Sequence, residues 1–375
     1  MPITFKILAG SLLGVVLAIG LLLFIRPATS GKPEVVVYTS VDWEFAEPLL
    51  QQFTQATGIE VNGRPDDEAS KTTAMASRLR QMKGRPDGDV FWNSEKSFSE
   101  IFAREGLLEP YASPLAREIP SGFKDAQNYW TGFGCRARVL IYNTQRVKRA
   151  ELPRTLEDLA DPRWKGRFAI AKPVFGTTRS HLAALVERLG EEKAFKLFRA
   201  WHANGVVLAE SNGDVRNRVA DGWFDLGLTD SDDALSAMER NKPVDFIVPD
   251  QTSEWRGAFL IPNTVSILKN CPHHKEACAL LDFLLRPETE IWLAEHGAHQ
   301  IPVRPVAAKL PEALRNLQPA VSGNTIPIAA TGDTTISGDT IPIAAQSGHV
   351  PGNSLPERIQ RALAGEECLM VYEIP

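Results

Sequence analysis

Residues 34–61 read EVVVYTSVDWEFAEPLLQQFTQATGIEV, and the reading of this stretch decides the fold class. Glu34-Val-Val-Val-Tyr38 is short and β-branched, the composition of a buried strand. After Thr39 and Ser40 a helix is expected from about residue 42 to 57. Phe45, Leu49 and Phe53 recur every fourth position, and Gly58 stands where a left-handed glycine closes a helix. Pro48 falls inside this pattern and should bend or restart it. Ile59-Glu-Val61 is a second short strand. Two strands joined by a helix predict parallel pairing, because parallel strands need a crossover.

The alternation continues downstream. Ser70 is placed to cap a helix bearing Met75, Leu79 and Met82, and Arg85-Pro-Asp-Gly88 is a turn. Asp89-Val-Phe-Trp92 reads as a third strand, and Ser94 stands ready to cap a helix with Phe98, Ile101 and Phe102. From Arg138 a second block repeats the pattern. Strands are expected over 139–142, 168–171, 206–209, 224–229 and 257–268. Helices are expected near 180–189, around Phe195 to Trp201, over 214–220, after Asp230, and over 275–285 and 287–296. The class is α/β. After Pro305 the composition changes: Thr-Ile-Pro-Ile-Ala-Ala appears at 325–330 and again at 340–345. A single duplication is no solenoid, which needs about three repeats. An extended surface loop or hairpin, or a partner-docking element, fits its Pro, Gly and β-branched residues.

Upstream, residues 7–25 are nineteen apolar or small residues between Lys6 and Arg26. At about 1.5 Å per residue such a helix approaches the thickness of a bilayer core. It is either a signal peptide cut near Ala28-Thr29-Ser30 or an uncleaved transmembrane anchor. The run exceeds the roughly 7–15 apolar residues usual in a signal peptide, which favours the anchor. No cysteine lies near residue 30, which excludes lipid attachment there. Under either reading residues 1–30 stand apart, and residues 31–375 work in the periplasm or an equivalent extracytoplasmic space. A chain 43% hydrophobic and 23% charged is globular rather than disordered or fibrous. Lys plus Arg is 41 against 46 Asp plus Glu, or −5. Without Lys6 and Arg26 the remainder carries −7 and no basic block, so nucleic acid is not an expected partner. Four cysteines do not make a disulfide scaffold; Cys271 and Cys278 could pair in an oxidising space, though packing is the commoner use.

Taken in order, the chain carries Val-Tyr-Thr-Ser-Val-Asp (37–42), Asp-Val-Phe-Trp-Asn-Ser-Glu (89–95), Tyr-Trp-Thr-Gly-Phe (129–133) and Arg-Ala-Arg-Val-Leu-Ile-Tyr-Asn-Thr (136–144). Asp-Pro-Arg-Trp-Lys-Gly-Arg (161–167), Phe-Gly-Thr-Thr (175–178), Gly-Leu-Thr-Asp-Ser-Asp-Asp-Ala (227–234), Val-Pro-Asp-Gln (248–251) and Ile-Pro-Asn-Thr-Val (261–265) follow. Over roughly residues 34–305 this series resembles the extracellular solute-binding proteins of ABC transporters. More narrowly it is similar to the ferric-iron-binding (ferbin-like) group. The resemblance implies a two-lobe periplasmic-binding-protein fold of type II, with a hinge and a central ligand cleft. Lobe 1 would take residues 34–134 and 258–305, lobe 2 residues 135–257, and 306–375 would form a C-terminal extension. It also implies a monomeric receptor that delivers its ligand to an ABC permease and its ATPase. In the ferbin-like relatives the loop after the first strand supplies a His where Asp42 stands, and Glu95 matches a Glu after the third strand. Their adjacent tyrosine pair is replaced by Thr229-Asp230-Ser231-Asp232-Asp233. Gly176-Thr177-Thr178 matches the element that holds an anion at a helix N-terminus.

Strand ends point independently to the same residues. Ligands of open α/β sheets sit beyond the carboxyl ends of the strands, and there the chain places Ser40, Asp42, Asn93, Glu95, Asp230, Ser231 and Asp232. Carboxylates sharing one cleft repel each other unless a cation lies between them. Asp42, Glu95, Asp230 and Asp232 are therefore candidate ligands for a hard ion such as Fe³⁺, Ca²⁺, Mg²⁺ or Mn²⁺. The plainer reading is capping, since Asp42, Ser94, Asp230 and Ser231 all stand at helix starts. Gly176, Thr177 and Thr178 offer N–H groups and hydroxyls to phosphate, carbonate or carboxylate, or form an ordinary turn. Arg138, on one strand face with Arg136, is a candidate to neutralise a bound anion or a cleft Asp; a salt bridge is the commoner role. Trp43, Trp92, Trp130 and Trp255 suit an organic cation or, more commonly, a core.

Enzyme signatures are poor. His296-Gly-Ala-His299 lacks the Glu of a metalloprotease helix, and there is no G-x-S-x-G, P-loop or G-x-G-x-x-G. No enzyme and no catalytic cofactor is expected. The expectation is a receptor of an ABC importer for a metal cation or metal–anion complex, with iron(III) first as the bound ligand. The alternatives are a receptor for a small organic anion such as a phosphonate or sugar phosphate, and a membrane-anchored sensor or docking protein on the same fold.

Overall fold

The computed structural model describes residues 32–66, 73–174, 176–251, 258–297, 299–315 and 354–365. The apolar run at 7–25, the Ser70 cap, Trp255, Cys368 and both TIPIAA segments lie outside the described residues. Among the described residues no helix is long and apolar enough to cross a membrane.

Strand β1 (Glu34–Thr39) runs through helix α1 (Trp43–Thr57) to β2 (Glu60–Pro65), and the two strands pair in parallel. Gly58 closes α1 at φ +74°, a left-handed conformation that a side chain would disfavour, and donates its N–H to the Thr54 carbonyl at 2.8 Å. Pro48 does not restart the helix, which runs through it as one element from Trp43 to Thr57. Ala46, Leu49, Leu50 and Phe53 are buried around it, and that packing outweighs the one backbone bond the ring removes.

Helix α2 (Thr73–Gln81) then carries the chain from the β2 edge across to β3 (Val90–Asn93), which pairs with β1 on its other side. Helix α3 (Lys96–Glu105) and the short β4 (Leu108–Glu109) follow. The second block repeats this path after a long strand, β5 (Thr131–Asn143). Strand β6 (Phe168–Ala171) leads through α4 (Gly176–Leu189) and α5 (Glu191–Ala203) to β7 (Val207–Ala209) at the edge. Helix α6 (Asn212–Ala220) returns the chain to β8 (Leu226–Asp230) on the opposite side of β6, and α7 (Ser231–Glu239) follows. In each half the crossovers leave one strand in opposite directions, once between β1 and β3 and once between β6 and β8. Loops diverge at such points and leave a crevice beyond the strand ends.

Strands β5 and β10 (Leu260–Leu268) join the halves. From Thr131 to Ala137, β5 pairs antiparallel with β10; from Arg138 onward it pairs with β8 and with β9 (Val244–Ile247). The strand order is β2-β1-β3-β10-β5-β8-β6-β7. Helices α8 (His274–Leu284) and α9 (Pro287–Glu295) close the first half. The main core gathers Phe53, Trp92, Phe133, Phe246, Leu260 and Leu280, and so continues across the junction; Leu314 of α10 (Glu312–Arg315) joins it. A second core around Phe168, Phe198 and Trp201 includes Ile359, Ala362 and Leu363 from α11 (Leu355–Ala364). Cys135, Cys271 and Cys278 are free thiols, so the Cys271–Cys278 pair left open by the sequence is not formed.

Candidate functional site

The two crevices meet, and side chains from both fill the space between them. From the first, Ser40 beyond β1 donates its hydroxyl to Asn93 Oδ1 at 2.6 Å and accepts the Ser94 N–H at 2.9 Å. Asn93 is fully buried and donates its amide to the Glu95 carbonyl. These bonds fix Glu95, which is 3% exposed. Its Oε1 accepts from Ser97 Oγ at 2.7 Å, and its Oε2 from Ser180 Oγ of α4, in the other half, at 2.5 Å. Arg179 lies 3.9 Å from the same carboxylate and over the Phe98 ring at 5.6 Å. Asp42 is exposed beside the first turn of α1.

From the second crevice, Arg138 of β5 is 1% exposed and sits directly across the ladder from Asp230, the last residue of β8. Its guanidinium donates to Asp230 Oδ1 at 2.7 Å and Asn212 Oδ1 at 3.1 Å, and to the Thr177 and Thr178 hydroxyls at 3.3 Å each. Asp230 Oδ2 accepts from Thr177 Oγ1 at 2.9 Å and Asn212 Nδ2 at 3.2 Å. A buried carboxylate paired and hydrogen-bonded this fully is stable only with its partners present. Gly176 opens α4 at φ +67°, in the left-handed region where glycine is favoured. Ser231 is fully buried, and its hydroxyl accepts the Ala137 N–H at 3.1 Å, which ties α7 to β5.

Arg136 bridges the two crevices. It donates to the Ser94 carbonyl at 2.6 Å and lies 3.8 Å from both Asp230 and Asp232. Oxygens of Asp230, Asp232 and Asp233 fall within 4.8 Å of one another. Asp233 is held by Arg216 at 3.2 Å and the Thr229 hydroxyl at 3.0 Å. Asp232 Oδ1 accepts the Asp233 N–H at 3.0 Å, and the pKa of its carboxyl is pushed up to about 8. Removal from water is the main cause, Arg136 opposes it, and Asp233, Asp230 and Asp42 add to it. His181, one turn into α4, is 4% exposed and stacks on Phe259 at 4.9 Å; burial, with Arg138 nearby, holds it well below its ordinary pKa and therefore neutral.

The capping reading of these residues does not hold. Asp42 and Asp230 occupy N-cap positions without any side-chain cap bond, and Glu95, rather than Ser94, precedes α3, also without one. The structure thus brings together Ser40, Asn93 and Glu95 on one side and Arg138, Gly176, Thr177, Thr178, Asp230 and Asp232 on the other. Asn212, Arg179, Ser180 and His181 were missed. Asn212 stands just beyond β7, where the same strand-end rule points, and the other three continue the Gly-Thr-Thr turn into α4. Among the described tyrosines, Tyr38, Tyr111 and Tyr142 bond to Asp87, Asp282 and Asp245, and Tyr129 packs against the apolar cluster that holds Phe91 and Phe98. Trp92 and Trp130 are core residues, and Trp43 covers Gly63. His296 stacks on Trp292 while His299 lies 3.0 Å from Glu239, so the two histidines serve separate contacts.

A family model described as bacterial extracellular solute-binding protein matches residues 88–323. Iron uptake protein A1 of Synechocystis sp. is 28% identical over 287 residues, spanning 72% of this chain and 76% of that protein. Iron-bound HitA from Pseudomonas aeruginosa superposes with a TM-score of 0.67 at 22% identity, covering 76% of this chain and 90% of that one. The periplasmic binding protein AfuA from Actinobacillus pleuropneumoniae, with exogenous fructose-6-phosphate bound, superposes at 0.64 with 24% identity, covering 76% and 88%. At these identities the structural likeness speaks for the fold: α/β, with the two lobes of a periplasmic binding protein.

Proposed function

The chain belongs to the family of bacterial extracellular solute-binding proteins, and from that premise we propose that it is the receptor of an ABC importer for a hard metal cation, iron(III) first, bound together with an oxygen-rich anion. The observation that carries this reading is the crowding of Asp230, Asp232 and Asp233 within 4.8 Å, linked through Arg136 to the lobe that bears Glu95. A multivalent cation relieves that repulsion and takes the place of the proton on Asp232. The iron uptake protein among the relatives supports the choice of ion. With no tyrosine pair after β8, carboxylates rather than phenolates supply the oxygens. The companion anion fits the first turns of α4, where Thr177, Arg179 and Ser180 converge. The ligand contacts both lobes and so favours the closed state, which docks on the permease and its ATPase. The receptor works outside the cytoplasmic membrane, anchored by residues 7–25 or freed by cleavage.

One observation favours a second reading, a phosphorylated organic solute. Among the described residues the Nε groups of the buried Arg136 and Arg138 have no hydrogen-bond partner, though Arg136 Nε lies 3.8 Å from Asp230 and Asp232, and AfuA, of like fold, was observed with fructose-6-phosphate. One experiment separates the two. The full chain is incubated with ferric citrate or with fructose-6-phosphate, passed through gel filtration and analysed for iron and phosphorus. Wild type should retain iron at about one ion per chain, and Glu95→Ala and Asp232→Ala should lose it. Retention of phosphorus without iron would move the assignment to the second reading. Iron retained equally by both variants would overturn the site.

A further inference from the structure

The end of the second lobe's sheet opposite the cleft gathers four turns. Residues 144–151 follow β5, while 161–167, 218–225 and 240–243 precede β6, β8 and β9. They come together because Tyr142 pairs with Leu226, Asn143 with Val244, and Phe168 with Leu226. Backbone bonds join them: Asn143 N–H to the Asp225 carbonyl at 3.0 Å, Asp225 N–H to Arg167 at 2.9 Å, and Thr144 N–H to Pro243 at 2.9 Å. These segments, the second-last of which includes the end of α6, hold nine Lys and Arg against four Asp and Glu within a chain of net charge −5, and Asp214 and Asp245 at their borders pair with Arg218 at 2.9 Å and Arg149 at 3.1 Å. Asp225 is buried and shared by Arg146 and Arg167, whose side chains are 50% and 44% exposed, so one carboxylate answers two guanidiniums. Lys165 and Arg240 are exposed.

Within this cationic rim stands Trp223, 71% exposed and the most exposed large hydrophobic among the described residues. Arg218 lies over its ring at 5.7 Å. Solute capture uses none of these residues, and they lie at the opposite ends of the strands that carry Arg138 and Asp230. An exposed tryptophan beside long cationic side chains is an arrangement that headgroup regions select, with the indole at the interface and the cations on anionic lipid. The surface consists of turn tips around one ring. That geometry suits a plane of headgroups better than the pocket of a folded protein, and its charge opposes that of the rest of the chain.

We propose that this pole of the second lobe docks on the anionic surface of a phospholipid bilayer. The contact holds the receptor at the membrane while the cleft, at the other ends of the same strands, stays free for solute. Each cation at an anionic surface favours the docked state about fivefold. The test places the full chain in nanodiscs of phosphatidylcholine, with and without phosphatidylglycerol, and follows amide hydrogen exchange. Peptides covering 144–151 and 218–225 should be protected only on phosphatidylglycerol, and the protection should vanish in about 0.5 M salt, where charges are screened within a few ångströms. The pair Lys165→Ser and Arg240→Ser should shift the docked-to-free ratio about twenty-five-fold toward free without altering solute binding. No protection, or equal protection on both lipids, overturns the proposal. Protection that arises only when the permease complex shares the disc also overturns it and assigns the pole to a protein partner.

Discussion

At Asp232 the folded chain holds a carboxyl whose pKa is pushed up to about 8, first by removal from water and then, against Arg136, by Asp233, Asp230 and Asp42. An unfolded aspartate titrates near 4. The folded state therefore binds the proton more tightly than the unfolded state between about pH 4 and pH 8. Its stabilising contribution is complete below about 4 and is lost as pH climbs through 8. Thermal melts of the solute-free chain should fall across that window, and Asp232→Asn, which cannot ionise, should flatten the slope. A cation that displaces this proton inverts the dependence, so iron binding should strengthen with pH over the same range and release a proton measurable by calorimetry in buffers of different ionisation enthalpy. A melting profile identical in wild type and Asp232→Asn would remove this residue from the argument.

Among the elements, α11 shows how far the chain beyond residue 305 belongs to the fold. Ile359, Ala362 and Leu363 enter the second core, and Arg358 lies over Phe195 at 5.0 Å. Ile359 is fully buried, so Ile359→Ala should cost about 3 kcal/mol in urea unfolding of the full chain, with solute binding unchanged. A cost under about 1 kcal/mol would mean that the helix only rests on the lobe. Composition read this region as an extension because Pro, Gly and duplicated segments surround a single helical turn pattern. The sheet was far more legible. The β-branched run at 34–38, the fourfold spacing of α1 and Gly58 each specify one local conformation, and the structure follows them. The four-residue β9 was missed because Asp245 interrupts its apolar run, whereas β6, equally short, is apolar throughout. The site was half legible. Strand ends identified Glu95 and Asp230, but nothing local in the sequence says that Arg138 faces Asp230 across a ladder or that Ser180 reaches Glu95. Both depend on tertiary register. Capping was a sound competing account for Asp42 and Asp230, and it failed only on the geometry of their side chains.

For the molecule as a whole, polar and charged side chains tie one lobe to the other. Glu95 accepts from Ser180 at 2.5 Å and lies 3.9 Å from Arg179; Arg179 covers Phe98; and Arg136 reaches the Ser94 carbonyl at 2.6 Å. A hydrogen bond to a charged group contributes about 1.5–3 kcal/mol. That is the size of the gap separating interconverting conformations of a protein. If Glu95 is a latch, a solute that uses its carboxylate has to displace Ser180. Removing the latch should leave the closed state short of contacts until solute arrives. Glu95→Ala should shift the solute-free chain toward the open form, seen as a larger radius of gyration in small-angle scattering and a longer distance between labels at Arg85 and Lys196. Glu95→Gln keeps an oxygen for Ser180 but gives up the charge facing Arg179, and should fall between the two. If wild type and Glu95→Ala have the same solute-free distance distribution, the lobes are held by β5, β10 and the contacts of Arg136 and Arg179, and Glu95 is no latch.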